Sequence, residues 1–197
     1  MTQYVGPIKI DGATAIANIT DDAQLGNGAA TNTVSIDNGG TLEYGATMTS
    51  TRNVALGTGG GNVGASAGAV ATVNGVISGT GALGVTGPGT VNLRGANTYE
   101  GGTEIKKGGI ANVINDGNLG KAGSTVAIDD GGTLQTAGSF NTDRNVTLTG
   151  GTATVDTQGN TNVINGVVSG PGGLTKTGTG TLELTKKGTY TGSTTVD

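Results

Sequence analysis

The stretch Gly170–Val196 reads GPGGLTKTGTGTLELTKKGTYTGSTTV. Its composition, Gly, Thr and Lys with an apolar residue every few positions, is that of a flexible linker. Its order is not. Leu182 and Leu184 alternate with polar residues, and alternation of period two is the pattern of a half-buried strand. The stretch also has a twin 91 residues upstream, where TGPGTVNL (Thr86–Leu93) stands against TGTGTLEL (Thr177–Leu184). A linker has no reason to keep such a register.

The likeness extends over the chain. DDAQLG (Asp21–Gly26) returns as NDGNLG (Asn115–Gly120), VSIDNGGTL (Val34–Leu42) as VAIDDGGTL (Val126–Leu134), and RNVAL (Arg52–Leu56) as RNVTL (Arg144–Leu148). VNGVISG (Val73–Gly79) returns as INGVVSG (Ile164–Gly170), and NTYEGGTEI (Asn97–Ile105) as GTYTGSTTV (Gly188–Val196). The offset falls from 94 to 91 along the unit, so small insertions sit in loops. IANI (Ile16–Ile19) matches IANV (Ile110–Val113), so the opening residues read as the tail of a preceding unit. The chain is expected to be one continuous domain, 1–197, with internal units at about 12–106 and 107–197. It reads as a segment of a longer array, with Met1 added at its start.

Composition narrows the function classes. Of 197 residues 41 are Gly, 33% are hydrophobic and 3% aromatic, yet only 12% are charged and the formal net charge is -4. Disorder usually brings more charge and more Pro than the three prolines here. There is no Cys, which removes disulfides, thiol nucleophiles and Cys-ligated zinc, and no His, which removes the commonest general base and metal ligand. The acidic balance argues against a nucleic-acid partner. No apolar run is long enough to span a membrane as a helix, and MTQYVGPIKI lacks a charged n-region followed by an apolar h-region, so the signal of an exported parent is expected outside this sequence.

Glycine and β-branched residues disfavour helix, and no apolar stripe of period 3.6 persists. TVSID, GTLEY, RNVAL, GTVNL and GTLEL are short alternating segments bounded by Gly, Asn and Asp. Asn27-Gly28, Asn38-Gly39, Asn74-Gly75, Asp130-Gly131 and Asn165-Gly166 are read as turns needing positive φ. Positions apolar in both copies should point inward: Val34/Val126, Ile36/Ile128, Leu42/Leu134, Val54/Val146, Leu56/Leu148, Leu83/Leu174, Val91/Leu182, Leu93/Leu184 and Ile105/Val196. Two all-β architectures fit. One is a right-handed parallel β-helix (β-solenoid) of about nine coils of roughly 20 residues. The other is a pair of tandem immunoglobulin-like β-sandwiches, which the unit length suits. The lack of Trp and a single Phe, Phe140, argue against a sandwich core about 10 Å thick.

The stretches Gly79–Ile105 and Gly170–Val196 resemble the passenger-associated transport repeat of bacterial autotransporters, G-x-G-x-L-x-K-x-G-x-G-x-L-x-L-x-G-x-N-x-Y-x-G-x-T-x-V. The first copy supplies Gly79, Gly81, Leu83, Gly87, Gly89, Val91, Leu93, Gly95, Asn97, Tyr99, Gly101, Thr103 and Ile105. The second supplies Gly170, Gly172, Leu174, Lys176, Gly178, Gly180, Leu182, Leu184, Tyr190, Gly192, Thr194 and Val196. Val85 replaces the lysine in the first copy; Lys186 and Gly188 replace glycine and asparagine in the second. The resemblance implies a right-handed parallel β-helix in the passenger of a type V secretion protein. It implies flanking passenger repeats and a C-terminal β-barrel translocator in the parent, and an extracellular or cell-surface location.

The polar residues read mainly as structure. Asp21/Asp22, Asp37, Asp116 and Asp129/Asp130 are the candidate acids for a β-helix enzyme, but Asp37 and Asp129 sit in equivalent turns and Asp22 and Asp116 in equivalent loops, where short polar side chains cap backbone. The calcium-binding nonapeptide is absent, and GTGGGNVGAS (Gly57–Ser66) has no carboxylate and no Lys-Ser/Thr after its glycines. Thr152/Thr154 form a Thr-x-Thr pair without the fixed spacing of an ice-binding face. Lys106/Lys107 and Lys186/Lys187 fall at different phases and read as solvated loops. Tyr99 and Tyr190 are equivalent and read as rings closing the small core rather than a sugar-stacking ladder. The expected function is a structural stalk that aids outer-membrane export and extracellular folding, with no catalytic, metal or cofactor residues. An adhesin surface for a cell-surface ligand is the alternative, and a polysaccharide-active enzyme a distant third. Open solenoid ends predict weak end-to-end self-association.

Overall fold

The computed structural model describes residues 4–27 and 32–197. Met1 and Gly28 of the Asn27-Gly28 turn lie outside them.

The chain folds as short strands of two to five residues, every pair of them parallel. Gly and Asn cut each strand short, and Val, Ile, Leu and Thr fill it. Each strand pairs with one roughly a coil later: Val34 faces Val54, and Val54 faces Ile77. Among the described residues, two sheets of eight strands run along the chain, with one of four and one of three strands beside them. The molecule is a β-solenoid. Parallel pairing throughout rules out the tandem sandwiches, whose sheets are antiparallel. Each long sheet carries eight strands rather than about nine, because the 3-10 helix Asp22–Leu25 takes a strand's place in the sheet that begins at Met48–Ser50 and the loop around Tyr190 takes one in the sheet that ends at Val168–Ser169.

Three columns surround the core. The first holds Ile8–Asp11, Val34–Asp37, Val54–Leu56 and Ile77–Gly79. It loses its strands at residues 94–101 and at the second 3-10 helix, Asp116–Leu119, and regains them as Phe140–Thr142, Thr161–Ile164 and Thr181–Leu184. Backbone hydrogen bonds carry the column through the gap: Thr98 N donates to Ile77 O, Glu100 N to Gly79 O, and Lys121 N to Tyr99 O. The second column runs from Ile16–Ile19 to Val168–Ser169, the third from Met48–Ser50 to Thr194–Val196.

Equivalent segments of the two units do not share a column. Val34–Asp37 lies in the first and Val126–Ile128 in the second; Gly40–Tyr44 lies in the second and Thr133–Thr136 in the third. Thr90–Leu93 lies in the third and Thr181–Leu184 returns to the first.

The core is narrow and aliphatic, as the alternation requires. Of the positions expected to face inward all are buried except Leu182, Leu184 and Val196. Those three lie in the last coils, where no further strand covers Thr181–Leu184 or Thr194–Val196. The turn expectation needs correction. Asn38 and Gly39 have φ of 51° and 79°, and Gly131 has 73°, as a tight turn demands. Gly75 and Gly166 do not have positive φ; they are glycine because each lies against the carbonyl of a buried arginine.

Candidate functional site

The most heavily built polar feature is a buried arginine in each unit. Arg52 follows the strand Met48–Ser50 and Arg144 follows Phe140–Thr142; both are 1% exposed. Each side chain runs beneath the corner to the 3-10 helix of the preceding coil. The Nε of Arg144 donates to Asp116 Oδ1 at 2.8 Å and its Nη2 to Oδ2 at 3.1 Å, a two-pronged fit that only a guanidinium makes. Its Nη2 also donates to Gly120 O at 2.8 Å, and Nη1 to Lys121 O at 2.8 Å and Ser124 Oγ at 2.6 Å. Thr142 Oγ1 donates to Asp116 Oδ1 at 2.6 Å. Burying a charge is unfavourable unless it is paired and hydrogen-bonded, and here both conditions are met.

The first unit builds the same anchor less fully. Arg52 Nε donates to Asp22 Oδ2 at 3.0 Å, and Nη2 to Asp22 O and Gly26 O at 2.8 and 3.0 Å. Arg52 Nη1, Asp22 Oδ1 and Asn32 Oδ1 are buried without a partner among the described residues. The sequence reading placed Asp22 and Asp116 in equivalent loops but did not see what they hold. The recurring RNV was the signal available.

The other acids are occupied locally. Asp21 caps its 3-10 helix by accepting from Ala23 N at 2.9 Å. Asp37 Oδ1 accepts from Asn38 N and Gly59 N at 2.8 and 2.9 Å. Asp129 accepts from Thr149 Oγ1 at 2.6 Å, and Asp130 from Thr152 N at 3.0 Å. That backbone donor, with Lys107 nearby, holds the Asp130 carboxyl below the usual range. No group of three carboxylates with metal-site spacing occurs among the described residues.

A side-chain ladder crosses the third column. Arg94 Nη2 donates to Asn112 Oδ1 at 2.6 Å, Asn112 Nδ2 to Gln135 Oε1 at 2.5 Å, and Gln135 Nε2 to Asp156 Oδ2 at 2.8 Å. It begins on a cation and ends on an anion, so its dipoles align. The sequence reading missed it, because these residues are neighbours only through the coil length.

Tyr99 is buried, and its hydroxyl lies 2.7 Å from Thr103 Oγ1; Tyr190 repeats the contact with Thr194 at 2.7 Å. Tyr99 closes the core as expected, whereas Tyr190, in the last coil, keeps the hydroxyl contact but is only partly buried. Burial pushes the Tyr99 hydroxyl well above the ordinary tyrosine value and that of Tyr44 up to about 12. A raised folded pKa favours the protonated fold. This stability is intact below about pH 10, the unfolded tyrosine value, and declines as pH rises through the folded values. Alkaline titration followed by tyrosinate absorbance and circular dichroism should show ionisation of these two rings only as the fold is lost. Their titration within an intact fold near the free value would contradict this.

The passenger-associated-transport-repeat family model matches residues 83–111 and 174–197, once in each unit. The chain thus carries this repeat twice, in the two stretches whose sequence resembles it. It is 45% identical over 116 residues to the adhesin BmaC autotransporter of Brucella suis biovar 1 (strain 1330). That alignment covers 58% of this chain and 3% of the relative, so the chain spans a small part of the protein it matches. No solved structure matches it. The two copies fill the lysine position of the repeat differently. Val85 is buried in the core, whereas Lys176, also buried, sends its ammonium to the carbonyl of Gly178. Thr185, Lys186 and Lys187, where the second copy departs from the pattern, are exposed.

Proposed function

We propose that this chain is a load-carrying stalk segment of a passenger that is displayed at or released from the bacterial surface, and that its folding outside the cell assists export. Its partners in this reading are the flanking passenger repeats and a C-terminal β-barrel translocator in the parent protein. The observation that carries it is the continuity of the parallel ladder: every coil bonds to the next, so stability accumulates along the axis without a unique site. The acids are spent on caps and on the two arginines, which favours structure over catalysis. The test is the parent protein carrying Arg144→Ala, assayed for surface display by protease accessibility on intact cells. Reduced display at unchanged synthesis is expected; full display of a segment shown to be destabilised would reject the export role.

The name of the relative, an adhesin, favours a second reading in which the lateral surface binds a ligand on another cell. Saturable binding of the purified 197-residue chain to host cells would support it, and its absence would favour the stalk.

A further inference from the structure

The repeat unit does not contain a whole number of coils. Starting at Val34–Asp37 in the first column, the chain makes four circuits of the three columns, passes once more through the first column at Asp116–Leu119, and reaches Val126–Ile128 in the second. The unit is therefore four circuits plus one face. The same advance recurs elsewhere: Ile16–Ile19 to Ile110–Val113 and Leu83–Thr86 to Gly173–Thr177 each move from second column to third. Local contacts travel with the rotation. Arg52 on Asp22 and Arg144 on Asp116 are the same anchor, one face apart.

We infer that successive units of such an array are turned by one face, so that no surface feature of the unit stacks on one side of the rod. Three units, or thirteen coils, restore the direction, roughly 62 Å along the axis at about 4.8 Å per coil. Two consequences follow from the residues on the page. The strand-free segments, 94–101 and Asp116–Leu119, lie in the first column, whereas their equivalents, the loop around Tyr190 and the helix Asp22–Leu25, lie in the other two. Fixed to one side, these segments would recur on the same face in every unit; rotated, they are spread around the axis. Secondly, a partner that reads a unit's corner loops meets them from three directions, and from any one side only at every third unit. A one-sided ladder of repeated ligand sites is incompatible with this geometry.

The mechanical consequence rests on the stalk reading; the rotation does not, and the experiment addresses the rotation alone. Through Asn62, Gly84 and Glu104, Thr41 stands four strands below Ala127 in one sheet, whereas Ser35 stands in another. The chain has no cysteine, so spin-label pairs can be placed at will. In the full chain, Thr41→Cys with Ala127→Cys should give the shorter distance, about 19 Å between backbones for four strand spacings. Ser35→Cys with Ala127→Cys, the sequence-equivalent pair, should give the longer. Equal distances or the reverse order would overturn the inference. A second measurement guards against labels that disturb the fold: a short crosslinker should join Glu104→Cys to Ala127→Cys and leave Thr98→Cys with Ala127→Cys unjoined. Crosslinking of the latter pair instead would also overturn it.

Discussion

Arg144→Ala is expected to cost about 3–5 kcal/mol of folding stability, the range found when one partner of a buried ion pair is removed. The substitution leaves a cavity and strips Asp116, Gly120, Lys121 and Ser124 of their shared donor. Asp116 retains some solvent, which keeps the loss from exceeding that range. Arg144→Lys should recover little, because one ammonium cannot reach acceptors on four residues. Arg52→Ala should cost less, about 1–3 kcal/mol. Its guanidinium leaves Nη1 unpaired among the described residues, so fewer favourable contacts disappear with it. Urea unfolding of the three variants reads the order directly. Equal losses for Arg144→Ala and Arg52→Ala would show that the contacts to Lys121 and Ser124 contribute nothing. Hydrogen exchange adds a spatial prediction: in Arg144→Ala the helix Asp116–Leu119 and the turn to Ser124 should lose protection first, since solenoid coils depend chiefly on their neighbours.

Strand positions and the inward set were legible in the sequence because two copies of one unit expose what is fixed and what varies. Val34/Val126 and Ile36/Ile128 stay apolar while Ser35 becomes Ala127, and the structure puts the first two pairs in the core. The absence of large rings argued against tandem sandwiches, and the resemblance to the transport repeat implied the parallel fold. The rotation was not legible. A period of 91–94 counts residues, whereas a face is set by how many residues each coil consumes, and strand registers here differ by 20 to 26 residues. The same gap hid the ladder from Arg94 to Asp156, whose members are one coil apart. Arg52 and Arg144 stand in identical RNV segments, but arginine is among the residues least often buried, and the aspartates that accommodate them lie 30 and 28 residues upstream. Duplication pointed to the position; only the fold supplied the partner.

Gly166→Ala is the second large expected effect. A Cβ at Gly166 would lie 1.8 Å from the carbonyl oxygen of Arg144 and 2.3 Å from its carbon; at Gly75 it would lie 1.8 and 2.3 Å from the same atoms of Arg52. These are backbone atoms, with no side-chain rotation to relieve the clash, so one coil must separate from the next. Overpacking alone costs about 1–3 kcal/mol, and here the displaced carbonyl belongs to the residue whose guanidinium anchors the preceding coil. The loss should therefore exceed that range, with disrupted pairing between Val146–Leu148 and Val168–Ser169. Gly150→Ala is the control: nothing lies near its Cβ position and its φ is not positive, so the change should be neutral or stabilising by a few tenths of a kcal/mol, up to about 1. Denaturation midpoints compare the two, and the double variant Arg144→Ala with Gly166→Ala decides the mechanism. If the glycine acts by letting the Arg144 backbone seat its side chain, the two losses should fall short of additive. Full additivity would mean that the coil contact at Gly166 and the arginine anchor stabilise the solenoid independently.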